Sequence, residues 1–126
     1  MKQIWIVDDD EEMARAISLM LKLLDCETKT FLGARPAAQA LMAGKQPDLL
    51  ILDINMPEVT GIDMLEFLRR RAEWKDLPII MLSSEAADVT VDQALALGAD
   101  AYAMKPVTIE ELEKAMSQAF YKHIKW

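Results

Sequence analysis

The stretch "LILDINMPEVTG", residues 50–61, runs apolar through Leu52, stops on a single carboxylate at Asp53, and soon meets a proline and a glycine. With Leu49 before it, the run is apolar at every position, the mark of an interior parallel strand covered on both faces. Pro57 and Gly61 then turn the chain tightly away into a helix. A buried strand that delivers one charge at its end needs a reason for that charge.

Two other runs, "IWIV" (4–7) and "IIML" (79–82), are equally apolar throughout and read as further interior strands. "CETKTF" (26–31) alternates, with Glu27 and Lys29 on one side and Cys26, Thr28 and Thr30 on the other, which suits an edge, and the short "AYAM" (101–104) suits the opposite edge. The strands expected near Gln3–Val7, Cys26–Phe31, Leu49–Asp53, Pro78–Ser83 and Ala101–Met104 alternate with segments of helical period. Those lie near Glu11–Leu24, Ala34–Met42, Gly61–Ala72, Thr90–Leu97 and Ile109–Lys125. Five βα units call for an α/β fold: a doubly wound parallel sheet with right-handed crossovers and helices on both faces. Thr108 and Glu111 form a capping-box pattern at the last helix, whose core face should carry Ile109, Leu112, Met116, Phe120 and Ile124.

The 126 residues, 52% of them apolar, suit one domain spanning 1–126, with no linker or low-complexity tract inside it. A net charge of −7 leaves no broad basic surface, which argues against nucleic-acid or membrane contact through this chain. No window approaches a membrane span or a signal-peptide core, and a single cysteine, Cys26, permits no internal disulfide, so a cytoplasmic location is expected. Cys26 reads as a small buried apolar side chain, Arg69, Arg70 and Arg71 as a solvated helix end, and His123 as a surface residue.

In an open doubly wound sheet, ligands bind outside the carboxyl ends of the strands, so the residues at which each run stops carry the information. The first strand ends in Asp8, Asp9 and Asp10, the third in Asp53, the fourth in Ser83 and Ser84, and the fifth leads into Lys105 and Pro106. Carboxylates gathered at one edge repel one another unless a cation sits among them, and a hard cation such as Mg²⁺ accepts such oxygen ligands. Asp10 also suits the N-cap of the first helix. Asp53 is then placed to attack phosphorus and form an aspartyl phosphate, with Lys105 to neutralise the phosphoryl oxygens and a serine hydroxyl to donate to one.

Taken together, "IVDDD", "LDINMPEVTG", "IIMLSS" and "GADAYAMKP" make the chain resemble, over essentially its whole length, the response-regulator receiver domains of two-component signalling. The resemblance implies the flavodoxin-like strand order 2-1-3-4-5. It makes Asp53 the phosphoacceptor, and it makes Asp8, Asp9, Asp53 and the main-chain carbonyl of Asn55 the ligands of Mg²⁺ or Mn²⁺. Lys105 contacts the phosphoryl group and Ser83 supplies the switch hydroxyl, where threonine is commoner. Tyr102 falls at the switch aromatic that turns inward behind Ser83, and a cis peptide is implied between Lys105 and Pro106. Asn55 and Glu85 fall where the family tunes phosphoryl lifetime. The implied partners are a histidine kinase or phosphotransfer protein and a downstream output domain or protein, reached through the face of the fourth helix, fifth strand and fifth helix. A phosphorylation-dependent homodimer stays open.

Two rivals use the same residues differently. A haloacid-dehalogenase-like phosphatase would make Asp8 the nucleophile and Asp10 its acid/base partner, but it needs another acidic pair after the lysine and leaves Asp53 unexplained. A receiver-like module that only binds would be expected to lack one of the acids or the lysine, and all are present.

Overall fold

The computed structural model describes residues 1–84 and 88–123, the side chains of 88–90 excepted. Glu85, Ile124, Lys125 and Trp126 therefore lie outside the described residues. The elements run β1 (Lys2–Val7), α1 (Glu11–Leu23), β2 (Cys26–Phe31), α2 (Ala34–Met42), β3 (Leu49–Asp53), α3 (Gly61–Arg69), β4 (Ile79–Ser83), α4 (Asp88–Ala96), β5 (Ala101–Met104) and α5 (Ile109–Tyr121). All pairings are parallel and the order is β2-β1-β3-β4-β5, so the two alternating or short strands occupy the edges.

Every residue of β3 and β4 is buried, as their unbroken apolar runs require. The pleat divides their side chains between two cores. Ile4, Ile6, Leu49, Ile51, Ile80 and Leu82 face α1 and α5, which contribute Ile17, Leu21 and Leu112. Trp5, Val7, Leu50, Leu52, Ile79 and Met81 face the other side, covered by Leu41 of α2, Leu65 and Leu68 of α3 and Ala94 of α4. β2 follows the same division: Cys26 enters the first core and Phe31 the second, where it packs on Trp5 with ring centroids 4.9 Å apart. Burial raises the Cys26 thiol pKa, which keeps it an inert apolar side chain.

Local chemistry accounts for the helix starts. Asp10 caps α1 by accepting from the N–H groups of Glu12 and Met13. A complete reciprocal capping box sits at α3, between Thr60 and Asp63. At α5 the expected box is half formed: Thr108 accepts from the Glu111 N–H, but the Glu111 carboxylate takes the Thr108 hydroxyl instead of its backbone N–H.

The expected extents and exposures change at several places; α4 begins at Asp88, two residues before Thr90, and α5 ends at Tyr121, with Lys122 and His123 in a turn. α3 stops at Arg69, three residues short of Ala72, because the chain must turn to bury Trp74 and Leu77 beneath it. Arg69 is not part of a solvated face. Its side chain is 12% exposed and donates to the Gly98 and Trp74 carbonyls and to Asp100, while Arg70 stays exposed beside Glu66. His123 is not a surface residue either, since its Nε2 lies 2.9 Å from the same Asp100 carboxylate. Ile79 N–H donates to that carboxylate as well, and Asp100 N–H returns a bond to the Ile79 carbonyl. Asp100 thus ties α3, β4, β5 and the end of α5 together at the edge of the sheet opposite the one that carries Asp53.

Candidate functional site

Asp8 stands one residue beyond β1, Asp53 closes β3, Ser83 closes β4, and Lys105 follows β5, so parallel strands in register deliver all four to one edge of the sheet. The interior strands fix their depth: Val7 pairs with Leu52, Asp53 with Leu82 and Ser83 with Met104. Asp8, Asp53 and Ser83 are buried, whereas Asp9 is exposed at the rim.

The junction after β3 is held by main-chain bonds. Ile54 N–H donates to the Leu82 carbonyl and Gly61 N–H donates to the Ile54 carbonyl, each at 2.9 Å. Glu58 turns the loop with φ of 65°, and α3 then begins hard against the Asp53 main chain. Gly61 is read from sequence as a turn residue, but what demands glycine is this close approach, since any Cβ would overlap the Asp53 carbonyl.

Lys105 is aimed between two acids, with Nζ 2.8 Å from Asp8 Oδ2 and 3.3 Å from Asp53 Oδ1. Burial opposes its charge, but the Asp8 and Asp53 carboxylates outweigh burial and raise its pKa above the ordinary lysine value. Asp53 is pushed up to about 6, first by burial and then by the neighbouring charge of Asp8, with Lys105 pulling partly the other way. The Lys105 peptide N–H donates to the Ser83 carbonyl, and the Lys105–Pro106 peptide is cis.

One lysine does not satisfy this group. Asp8 Oδ1 accepts from the Asp10 N–H, and the buried Oδ2 lies 2.8 Å from the Lys105 ammonium, which Asp53 shares. Carboxylate oxygens of Asp8, Asp9 and Asp53 all lie within 4.8 Å of one another. Three hard carboxylates gathered this closely against a single ammonium fit a divalent cation such as Mg²⁺ or Mn²⁺.

At the rim, Asn55 N–H lies 3.3 Å from Asp53 Oδ1 and its side-chain amide 3.4 Å from the Ser84 hydroxyl, linking the loops after β3 and β4. Tyr102, in the middle of β5, points outward and is 46% exposed. Of the residues singled out from sequence, Asp8, Asp9, Asp53 and Lys105 are therefore brought into one cluster, and Asn55 and Ser83 border it. Asp10 is occupied with its cap, and Tyr102 faces solvent. The close packing of Gly61 on the Asp53 main chain is the part of this arrangement that the sequence does not mark.

The family model for the response regulator receiver domain matches residues 4–117. The transcriptional regulatory protein CpxR of Klebsiella pneumoniae is 40% identical over 113 residues, 89% of this chain and 46% of that protein. The chemotaxis protein CheY of Pseudomonas aeruginosa is 31% identical over 94% of this chain and 95% of its own. The solved structure of Vibrio cholerae chemotaxis protein CheY4 superposes with a TM-score of 0.84 at 29% identity, covering 94% of this chain and 98% of that one. Against CpxR and the protein RcaC of Microchaete diplosiphon the chain spans only 46% and 19% of the relative's length.

Proposed function

We propose that this chain, which belongs to the response regulator receiver domain family, is a single receiver domain over residues 1–126 that is switched by phosphorylation of Asp53. Receiver domains are signalling domains rather than enzymes with a turnover substrate, and the chemistry assigned here acts on the chain itself. The observation that carries this reading is the buried Asp53 carboxylate held 3.3 Å from Lys105 beside Asp8 and Asp9.

A histidine kinase or phosphotransfer protein presents phosphohistidine. An Asp53 carboxylate oxygen attacks phosphorus in line, the P–N bond breaks, and the imidazole leaves, giving an aspartyl phosphate. Lys105 neutralises charge on the phosphoryl oxygens, and the Ser83 hydroxyl donates to one of them. Asp8, Asp9, Asp53 and the Asn55 carbonyl would hold Mg²⁺ or Mn²⁺, which supplies compensating positive charge. Asn55, with Glu85, sets how readily water reaches the acyl phosphate, and the small or polar groups at these positions give a moderately short-lived phosphoform.

The dianion biases a pre-existing equilibrium of Tyr102, whose ring turns from solvent to the space behind Ser83. Moving such an equilibrium from mostly off to mostly on takes about 5 kcal/mol, the order of a few charge-assisted hydrogen bonds. An output domain or separate protein, or a second copy of the chain, reads the change on the face of α4, β5 and α5. Treating phosphorylated protein with hydroxylamine tests the acyl linkage: a hydroxamate on the peptide containing Asp53 is expected, and one elsewhere or none overturns the assignment.

A further inference from the structure

The donors on Asp100 are unequal. Ile79 N–H, Arg69 Nη2 and His123 Nε2 all converge on Oδ2, at 2.9, 3.1 and 2.9 Å. One carboxylate oxygen offers about two lone-pair sites, so three donors oversubscribe it. Ile79 is fixed in β4, and Arg69 is held independently by the Gly98 and Trp74 carbonyls. His123 sits in the turn just past Lys122, the C-cap of α5, where its own N–H reaches back to the Phe120 carbonyl. It is the donor that can leave while the others stay.

We propose that His123 and Asp100 form a releasable latch that docks the C-terminal end of α5 on the sheet and opens when Asp53 is phosphorylated. The inference rests on the phosphorylation switch set out above. β5 supplies the connection. Asp100 N–H is bonded to the Ile79 carbonyl at one end of the β4–β5 ladder and Lys105 N–H to the Ser83 carbonyl at the other, with only Ala101–Met104 between. A strand this short, clamped to β4 at both ends, moves with it as one piece, so a phosphoryl group drawing Lys105 and Ser83 toward Asp53 carries Asp100 and Ile79 together and displaces Asp100 against His123 at the end of α5. The oversubscribed oxygen gives up the least anchored of its donors. Docked and undocked positions of one imidazole are discrete states, the kind of element that turns a small shift into a switch.

His123 is the chain's one histidine, so its ring signals in an NMR spectrum are unambiguous. The experiment follows them in the intact chain on addition of Mg²⁺ with beryllofluoride, which mimics an acyl phosphate, and compares them with Asp100→Asn. The expected result has three parts: backbone signals of residues 53–55 shift, the His123 ring moves to its position in Asp100→Asn, and amide exchange over residues 118–123 rises several-fold. Shifted signals at 53–55 with an unmoved ring and unchanged exchange overturn the latch and leave the switch standing. Unmoved signals at 53–55 overturn the switch, and the latch with it. Should Asp100→Asn fail to fold, the exchange rates of the wild-type chain decide between the same outcomes.

Discussion

A Cβ placed on Gly61 would lie 2.1 Å from the main-chain oxygen of Asp53 and 2.8 Å from its carbonyl carbon. The first residue of α3 therefore rests on the backbone that carries the central carboxylate, and both partners in that contact are main chain that cannot rotate aside.

Gly61→Ala must separate α3 from β3. Overpacking of this kind costs roughly 1–3 kcal/mol, and backbone on both sides places it at the upper end. A lower urea midpoint together with slower phosphorylation by acetyl phosphate is expected, and wild-type values for both would show that the contact is not rigid.

Asp53→Asn should raise stability at neutral pH without divalent cations. The native pKa near 6 exceeds the ordinary carboxylate value of 3.8, so between about pH 4 and pH 6 the folded state binds more protons than the unfolded one. Stability therefore falls as pH rises through that window and stays lowered above it. Removing the charge recovers roughly 1–3 kcal/mol at pH 7, several degrees in Tm, and almost nothing near pH 4. Melting curves at the two pH values check this, and a gain equal at both would contradict the buried-charge explanation.

Legibility from sequence followed how each signal is written. The five βα units, the edge strands and the acids at strand ends stand as runs and breaks along the chain, so periodicity and punctuation were enough to read them. Asp100 stands just before a strand instead of at its end, and its partners Arg69 and His123 come from helical segments 31 and 23 residues away whose period does not single them out. An arginine in a run of three and a lone histidine near the end look solvated until the fold brings them to one carboxylate. Gly61 was visible, but close approach between two backbones is a tertiary fact that a turn motif does not encode.

Arg69→Met and Arg70→Ala should differ sharply although the residues are adjacent. Losing the buried partner of Asp100 and of two carbonyls costs about 2–4 kcal/mol. Arg70 contributes only an exposed pair with Glu66, within about 0.5 kcal/mol of nothing. Denaturant melts of the two variants provide the comparison, and similar midpoints would place Arg69 in solvent.

Added Mg²⁺ should raise the Tm of the wild type in a concentration-dependent way, because a cation that binds only the folded state stabilises it by mass action. Asp8→Asn should lose most of that response and Asp10→Asn should keep it, since Asp10 serves the α1 cap. An undiminished response in Asp8→Asn would remove Asp8 from the cation site.

Intact mass after incubation with acetyl phosphate, with and without Mg²⁺, tests phosphorylation of Asp53 most directly. The wild type should gain one phosphoryl group only when Mg²⁺ is present, and Asp53→Asn should gain none. A gain that persists in Asp53→Asn, or none in the wild type under either condition, would contradict Asp53 as the phosphoacceptor.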